Sequence, residues 1–159
     1  QETVMRLWFL AQWGNIPAVV AMYDPAVRRA VGVALLSGGY SVQRPVLLAS
    51  RPRIAYTTPT DLGTAVGLNV YRRGAPPLRD SFLLRNAGTR WVVVYDTVLE
   101  RAFSSYSQFS LTADPSARPS REAVQAGKAA TARFRDAYLK ARLGRKGSSQ
   151  TRPGTQGSQ

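Results

Sequence analysis

The chain has 159 residues, 44% of them hydrophobic, enough for one domain with an ordinary core and too few for two. It contains no cysteine and no histidine, which excludes disulfides, thiol nucleophiles, thiolate zinc sites and every histidine-dependent acid–base scheme within the chain. The net charge is +13, from 22 basic and 9 acidic residues; ten of the basic ones fall between residues 118 and 152, against only Glu122 and Asp136. That segment carries +8 of the total.

Nineteen of the 22 basic residues are arginine, a usage that does not by itself identify a partner. No apolar run approaches the roughly 20 residues needed to span a bilayer. The sequence opens on a helix-like segment without a basic, apolar, small-residue leader. The expectation is a cytosolic protein, or a mature or truncated form whose targeting segment is gone.

Residues 2–13 predict a first helix, with Val4, Leu7, Trp8 and Ala11 on one face and Met5, Phe9 and Leu10 widening it, and Gly14 stops it. Asn15 predicts the cap of a second short helix, with Pro17 in its first turn and Ile16, Val19, Val20 and Tyr23 on one face. Asp24-Pro25 repeats that start signal. The third helix turns Val27, Val31, Ala34 and Leu35 inward, and Gly38-Gly39 is expected to end it. Residues 41–52, punctuated by Pro45 and Pro52, read as an irregular connection.

The period then changes to two. Residues 53–58 predict a short strand and residues 64–73 a clear one, in which Gly67 marks a bulge or bend. Gly74-Ala75-Pro76-Pro77 is a turn, residues 78–85 the next strand, and Asn86-Ala87-Gly88-Thr89 another turn. Residues 90–96 close the meander. This last strand is apolar on both faces and should be covered on both. Short turns make the neighbours antiparallel. Thr97-Val98-Leu99-Glu100 fits a capping box, and Leu99, Ala102, Phe103 and Tyr106 give the stripe of a following helix. Residues 108–119 read as a linker and residues 120–143 as a basic helical extension. Residues 144–159 are too polar to offset their ordering entropy and are expected to be disordered.

Helices first and a meander after them is an α+β order. Over roughly residues 2–107 the chain resembles the NTF2-like superfamily, in which a strongly curved antiparallel sheet forms a cone around a first helix and an apolar pocket. The resemblance rests on residues 4–13, on Gly14-Asn15-Ile16-Pro17 leading into a helix that ends at Tyr23, and on Arg90-Trp91-Val92-Val93-Val94-Tyr95-Asp96. The basic extension lies outside the family pattern. The superfamily holds ketosteroid isomerase, scytalone dehydratase, limonene epoxide hydrolase and the SnoaL-type cyclases. It also holds non-catalytic modules of bacterial envelope and conjugation machinery. Its enzymes work with pocket carboxylates, often paired with histidine or tyrosine.

Asp61, Asp80 and Asp96 are the carboxylates to weigh here. Asp61 falls in a turn, and capping accounts for Asp96 at a helix start. Asp80 shares a strand face with Phe82 and Leu84 and is the one catalytic candidate, since a desolvated pocket would raise its pKa. Its bland reading is a sheet edge or a pairing with Arg79 or the neighbours of Arg85. Tyr23, Tyr56 and Tyr95 join Asp80 as candidate ligand-binding residues. As buried aromatics with a polar tip they also fit an ordinary core.

The resemblance implies a non-catalytic binding or assembly module, extracytoplasmic in a bacterium, with a cytoplasmic setting as the alternative. Its partners would be another protein, a second copy of itself, or an apolar small molecule in the cone. Neither metal nor cofactor is expected. A SnoaL-type isomerase, cyclase or hydrolase using Asp80 with a tyrosine is the catalytic rival. A third reading is electrostatic binding of nucleic acid or an anionic membrane through residues 118–152, against a solvated basic tail.

Overall fold

The computed structural model describes residues 1–106 and, beyond them, Gln125, Ala129, Ala132, Arg135 and Asp136. Apart from those five positions, the expected linker, basic helix and tail lie outside the described residues. Helix α1 spans Glu2–Trp13, and Gly14 closes it at φ 80, while the Asn15 amide reaches back to the Leu10 carbonyl at 2.9 Å. Helix α2 spans Ile16–Ala21, its first turn capped by Asn15, which accepts from the Ala18 amide. Helix α3 spans Pro25–Val31, and Asp24 caps it by accepting from the Ala26 amide at 2.8 Å. The three starts and the stop at Gly14 follow from local sequence chemistry as expected, whereas α2 ends at Ala21, short of the expected Tyr23, and α3 ends at Val31, before the expected Ala34 and Leu35.

The next element does not. The chain breaks at Gly32, with φ 93, and helix α4 then runs Val33–Leu48 through Gly38-Gly39 and Pro45. The expected end at Gly38-Gly39 and the irregular connection over residues 41–52 are both corrected. Gly39 belongs to a helix contact: a Cβ there would lie 2.5 Å from Leu99 Cδ2 and 3.2 Å from Phe103 Cε1. Glycine lets a neighbouring helix come close, and that packing outweighs its poor intrinsic helix propensity. Along α4, Leu36, Tyr40, Gln43 and Leu47 form the buried stripe.

Strands β1 (Ser50–Thr60), β2 (Gly63–Arg72), β3 (Ala75–Asn86) and β4 (Trp91–Asp96) make an open antiparallel sheet in the order β1-β2-β3-β4, and helix α5 (Thr97–Tyr106) follows. The sheet does not close on itself. Val66, Leu68, Val70, Phe82 and Leu84 on one face share a core with Leu7, Trp8, Leu36 and Leu47 of the helices. Edge strand β1 carries Pro52 and Pro59, residues that blunt an edge because they cannot donate to a further strand. The β4 edge is covered: Asp24 N–H donates to the Val93 carbonyl, and Val93 N–H to that of Met22, both at 2.9 Å. Val92, Val93 and Val94 are all buried, as expected of a strand covered on both faces, but Trp91 at its start is exposed.

The register slips between Ile54 and Tyr56 against β2, and between Leu83 and Leu84 against β4. The first slip makes Ala55 the extra residue opposite the Leu68–Gly67 step, so the bulge expected at Gly67 lies there on the partner strand; Gly67 faces the Tyr56 ring, and a Cβ at Gly67 would meet Tyr56 Cε1 at 2.0 Å. Among the described residues, no helix is long and apolar enough to cross a membrane.

Candidate functional site

The β4–α5 junction, Tyr23 and helix α4 bring one ionisable cluster together inside the domain. The paired backbone bonds between Met22–Asp24 and Val93 hold Tyr23 against the β4 edge. Tyr40 enters from α4, and Asp96, paired across the ladder with Phe82, enters from the end of β4. The Tyr23 hydroxyl donates to Asp96 Oδ2, and the Tyr23 and Tyr40 hydroxyls lie 2.9 Å apart. Tyr23 has one proton and commits it to Asp96, so Tyr40 must be the donor between the two phenols. The chain runs Tyr40 to Tyr23 to Asp96. All three side chains are fully buried.

Asp96 Oδ1 accepts from the Leu99 amide at 2.7 Å, so Asp96 is the cap of α5. The expected capping box with Thr97 and Glu100 is not formed. Thr97 instead donates to Asp80 Oδ1 at 2.8 Å and accepts from the Ser81 amide at 3.0 Å, tying α5 to β3. Glu100 accepts from the Tyr95 hydroxyl and pairs with Arg135. One residue upstream, Asp96 offers two oxygens where Thr97 offers one, and it wins the cap.

Asp80 lies on the core face as its strand position implies, with its side chain fully buried. Its partners are Thr97 and Arg101, whose NH1 and NH2 reach Oδ1 at 2.8 Å and Oδ2 at 3.1 Å. Arg101 also approaches Gln43 Oε1 at 3.4 Å. Among the described residues, no tyrosine hydroxyl is hydrogen-bonded to Asp80. Of the four candidate ligand-binding residues, Tyr23 and Asp80 therefore face the core, while Tyr56 and Tyr95 fall on the opposite sheet face. They do not converge on one site.

Burial pushes the Asp96 carboxyl up from 3.8 to about 6; the Tyr23 hydroxyl and the Leu99 amide pull it back, the Asp80 charge raises it and Arg101 lowers it. Burial first, then the Asp96 charge, holds both Tyr23 and Tyr40 well above the ordinary phenol value. Both phenols remain donors at any physiological pH. No protein-family model, curated protein or solved structure matches this chain. What the cluster can do follows from its own geometry.

A carboxyl titrating near pH 6 beside a phenol chain has the acidity of a general acid–base pair. What it lacks is access, since Tyr23, Tyr40, Asp96 and Asp80 are all sealed from solvent. Every oxygen of the two carboxylates also has a donor within the protein. Among the described residues, no group of three or more acidic side chains lies close enough to hold a metal ion. The cluster's evident work is to lock α5 to α2, α4 and β3.

Tyr40 and Arg101 were absent from the sequence candidates. Tyr40 carried a signal, since Leu36, Tyr40, Gln43 and Leu47 follow the i, i+4, i+7, i+11 spacing of a buried stripe. Reading Gly38-Gly39 as a stop concealed it. Arg101 carried none, because nothing local links it to a carboxylate 21 residues away.

Proposed function

We propose that this domain is a non-catalytic binding or assembly module of the NTF2-like kind, with the sheet as the wall of the family's cone. The reading rests on the exposed aromatic pair on α1, where Trp13 is 78% and Phe9 44% solvent-exposed, one helical turn apart. Large aromatic side chains left in water on one helix face are characteristic of surfaces that another chain covers. The sealed state of the acidic cluster supports it from the other side. The bacterial envelope or conjugation-type setting, the extracytoplasmic location and an apolar ligand in the cone follow from the family resemblance.

Sedimentation velocity at micromolar concentration tests the assembly reading. The full chain should sediment as an oligomer and Trp13→Asp as a smaller species, with the same far-ultraviolet circular dichroism. A wild-type chain that is monomeric across the concentration range counts against self-assembly and leaves a separate protein partner for the α1 face. The rival isomerase, cyclase or hydrolase reading gains nothing from Asp80, whose two oxygens are held by Thr97 and Arg101.

A further inference from the structure

The sheet face turned away from the helices carries its own pattern. Antiparallel register sets Arg51 beside Tyr71, then Arg53 beside Asn69 beside Arg79, then Tyr56 over Gly67 beside Ser81. Tyr56 and Tyr71 are exposed, and the Arg53 guanidinium stacks on the Tyr71 ring 5.6 Å from its centroid. Gly67 and Tyr71 are four residues apart on β2, so the two rings stand on the order of 13 Å apart along the strand. Gly67 lets the Tyr56 ring lie on the sheet with its other side open.

No acidic residue occurs in these three rows. Among the described residues, Asp24, Asp80 and Glu100 pair with Arg85, Arg101 and Arg135, and no carboxylate pairs with Arg51, Arg53, Arg72, Arg73 or Arg79. The Arg51–Tyr71 row opens at the sheet's end into a cleft of about 590 Å³ lined by Leu48, Ala49, Ser50, Arg51, Tyr71, Arg72 and Arg73. Three arginines and one ring line it, without a carboxylate.

We propose that this face and its end cleft bind single-stranded nucleic acid without sequence preference, phosphates lying on Arg51, Arg53, Arg72 and Arg73 and bases stacking on Tyr71 and Tyr56. Rings spaced along an open sheet between cations are what a single strand requires: a continuous negative backbone and unpaired bases with free faces. A duplex has its bases stacked inside and cannot use the rings. An anionic membrane has no planar groups to stack on them. This site is separate from the aromatic pair on α1 and does not depend on the assembly reading.

The test uses the full chain and a labelled thymidine homopolymer of about twelve nucleotides, followed by fluorescence anisotropy across a salt series. Binding should weaken by about 5- to 100-fold in Tyr71→Ala and persist in Tyr71→Phe, which keeps a ring. Arg51→Ala should lower the slope of log affinity against log salt by about 0.7, the single-strand value for one lost phosphate contact. Arg29→Ala, on the exposed side of α3, should stay within about twofold of the parent affinity. Each of these positions is exposed, so the variants should fold, and circular dichroism checks that. The proposal is overturned if the oligomer does not bind at low salt, or if Tyr71→Ala and Arg51→Ala bind like the parent, placing the contact elsewhere in the chain. It is equally overturned if a duplex binds as tightly as the single strand, or if phosphatidylglycerol vesicles are bound and the oligomer is not.

Discussion

On the helix-covered face of the sheet Asp80 and Asp96 are buried and every carboxylate oxygen meets a donor, whereas on the open face Arg51, Arg53 and Arg79 have no described carboxylate beside them. The same ladder carries both sets, one residue out of phase. Charge taken out of water must be matched where it lies, because the interior strengthens every electrostatic interaction and leaves an unmatched group without solvent. Charge left in water needs no partner for the fold to stand. Removing a group from the covered face should therefore unsettle the fold. Removing one from the open face should affect only what binds there.

Arg101→Ala is the most severe way to break the covered face. Asp80, with a side chain 0% exposed, would lose the one cation that pairs with it among the described residues, while Arg101 itself is 31% exposed. Breaking a buried pair costs about 3–5 kcal/mol, and the partial exposure of the guanidinium favours the lower end. Urea unfolding should show a loss of about 3 kcal/mol, most of it recovered when Asp80→Leu is combined with Arg101→Met. A loss below about 1 kcal/mol would mean that Thr97 alone suffices for Asp80 and that the covered face is less demanding than its geometry implies.

The next contrast is one of pH. Asp96 titrates near 6 in the fold and near 3.8 when exposed, so between these values the folded chain holds a proton that the unfolded chain has released. Its contribution is fully present below about pH 4 and is lost as pH rises through 6, by about 3 kcal/mol in all. Glu100 acts the other way. Burial pushes it up, but the Tyr95 hydroxyl and Arg135 outweigh that and hold it low, so its contribution is lost as pH falls. The informative quantity is the difference between parent and Asp96→Asn unfolding free energies from pH 4 to 7. That difference should shift in favour of the asparagine variant as pH rises. Parallel curves would remove Asp96 as the titrating group.

These demands explain what could be read from the residues in order. Gly14, Asn15-Ile16-Pro17 and Asp24-Pro25 specify helix ends through backbone groups a few residues away, so their chemistry is local and legible. The meander was legible for the same reason, since alternation and turn chemistry are local patterns, although Ala75-Pro76-Pro77, read as part of a turn, open strand β3. Gly39 was misread because a glycine states only that something is close; what is close, Leu99 there and Tyr56 at Gly67, where the expected bulge does fall, is set by tertiary packing. Asp80 was placed on the correct face. Its arginine was not foreseen, and Asp96, put down to capping alone, holds a phenol as well as the cap.

The two glycines give the finest comparison of the faces. Gly39→Ala sets a methyl against Leu99 and Phe103, both fully buried, so the core must shift at about 1–3 kcal/mol, offset by about 1 kcal/mol of helix propensity. Gly67→Ala meets the Tyr56 ring at a still shorter distance, yet that ring is half exposed and can swing into water. Its cost should be about 1 kcal/mol and should come almost wholly from the displaced ring. In a Tyr56→Ala background the same substitution should become neutral or slightly stabilising, because alanine loses less backbone entropy than glycine in a strand. A double-mutant cycle read by urea unfolding measures that coupling, and an equal cost of Gly67→Ala in both backgrounds would show that the backbone at Gly67, rather than the ring over it, requires glycine. If the coupling is found, loss of strand binding in Gly67→Ala with little loss of stability would tie the Tyr56 ring, lying on the sheet, to the ligand itself.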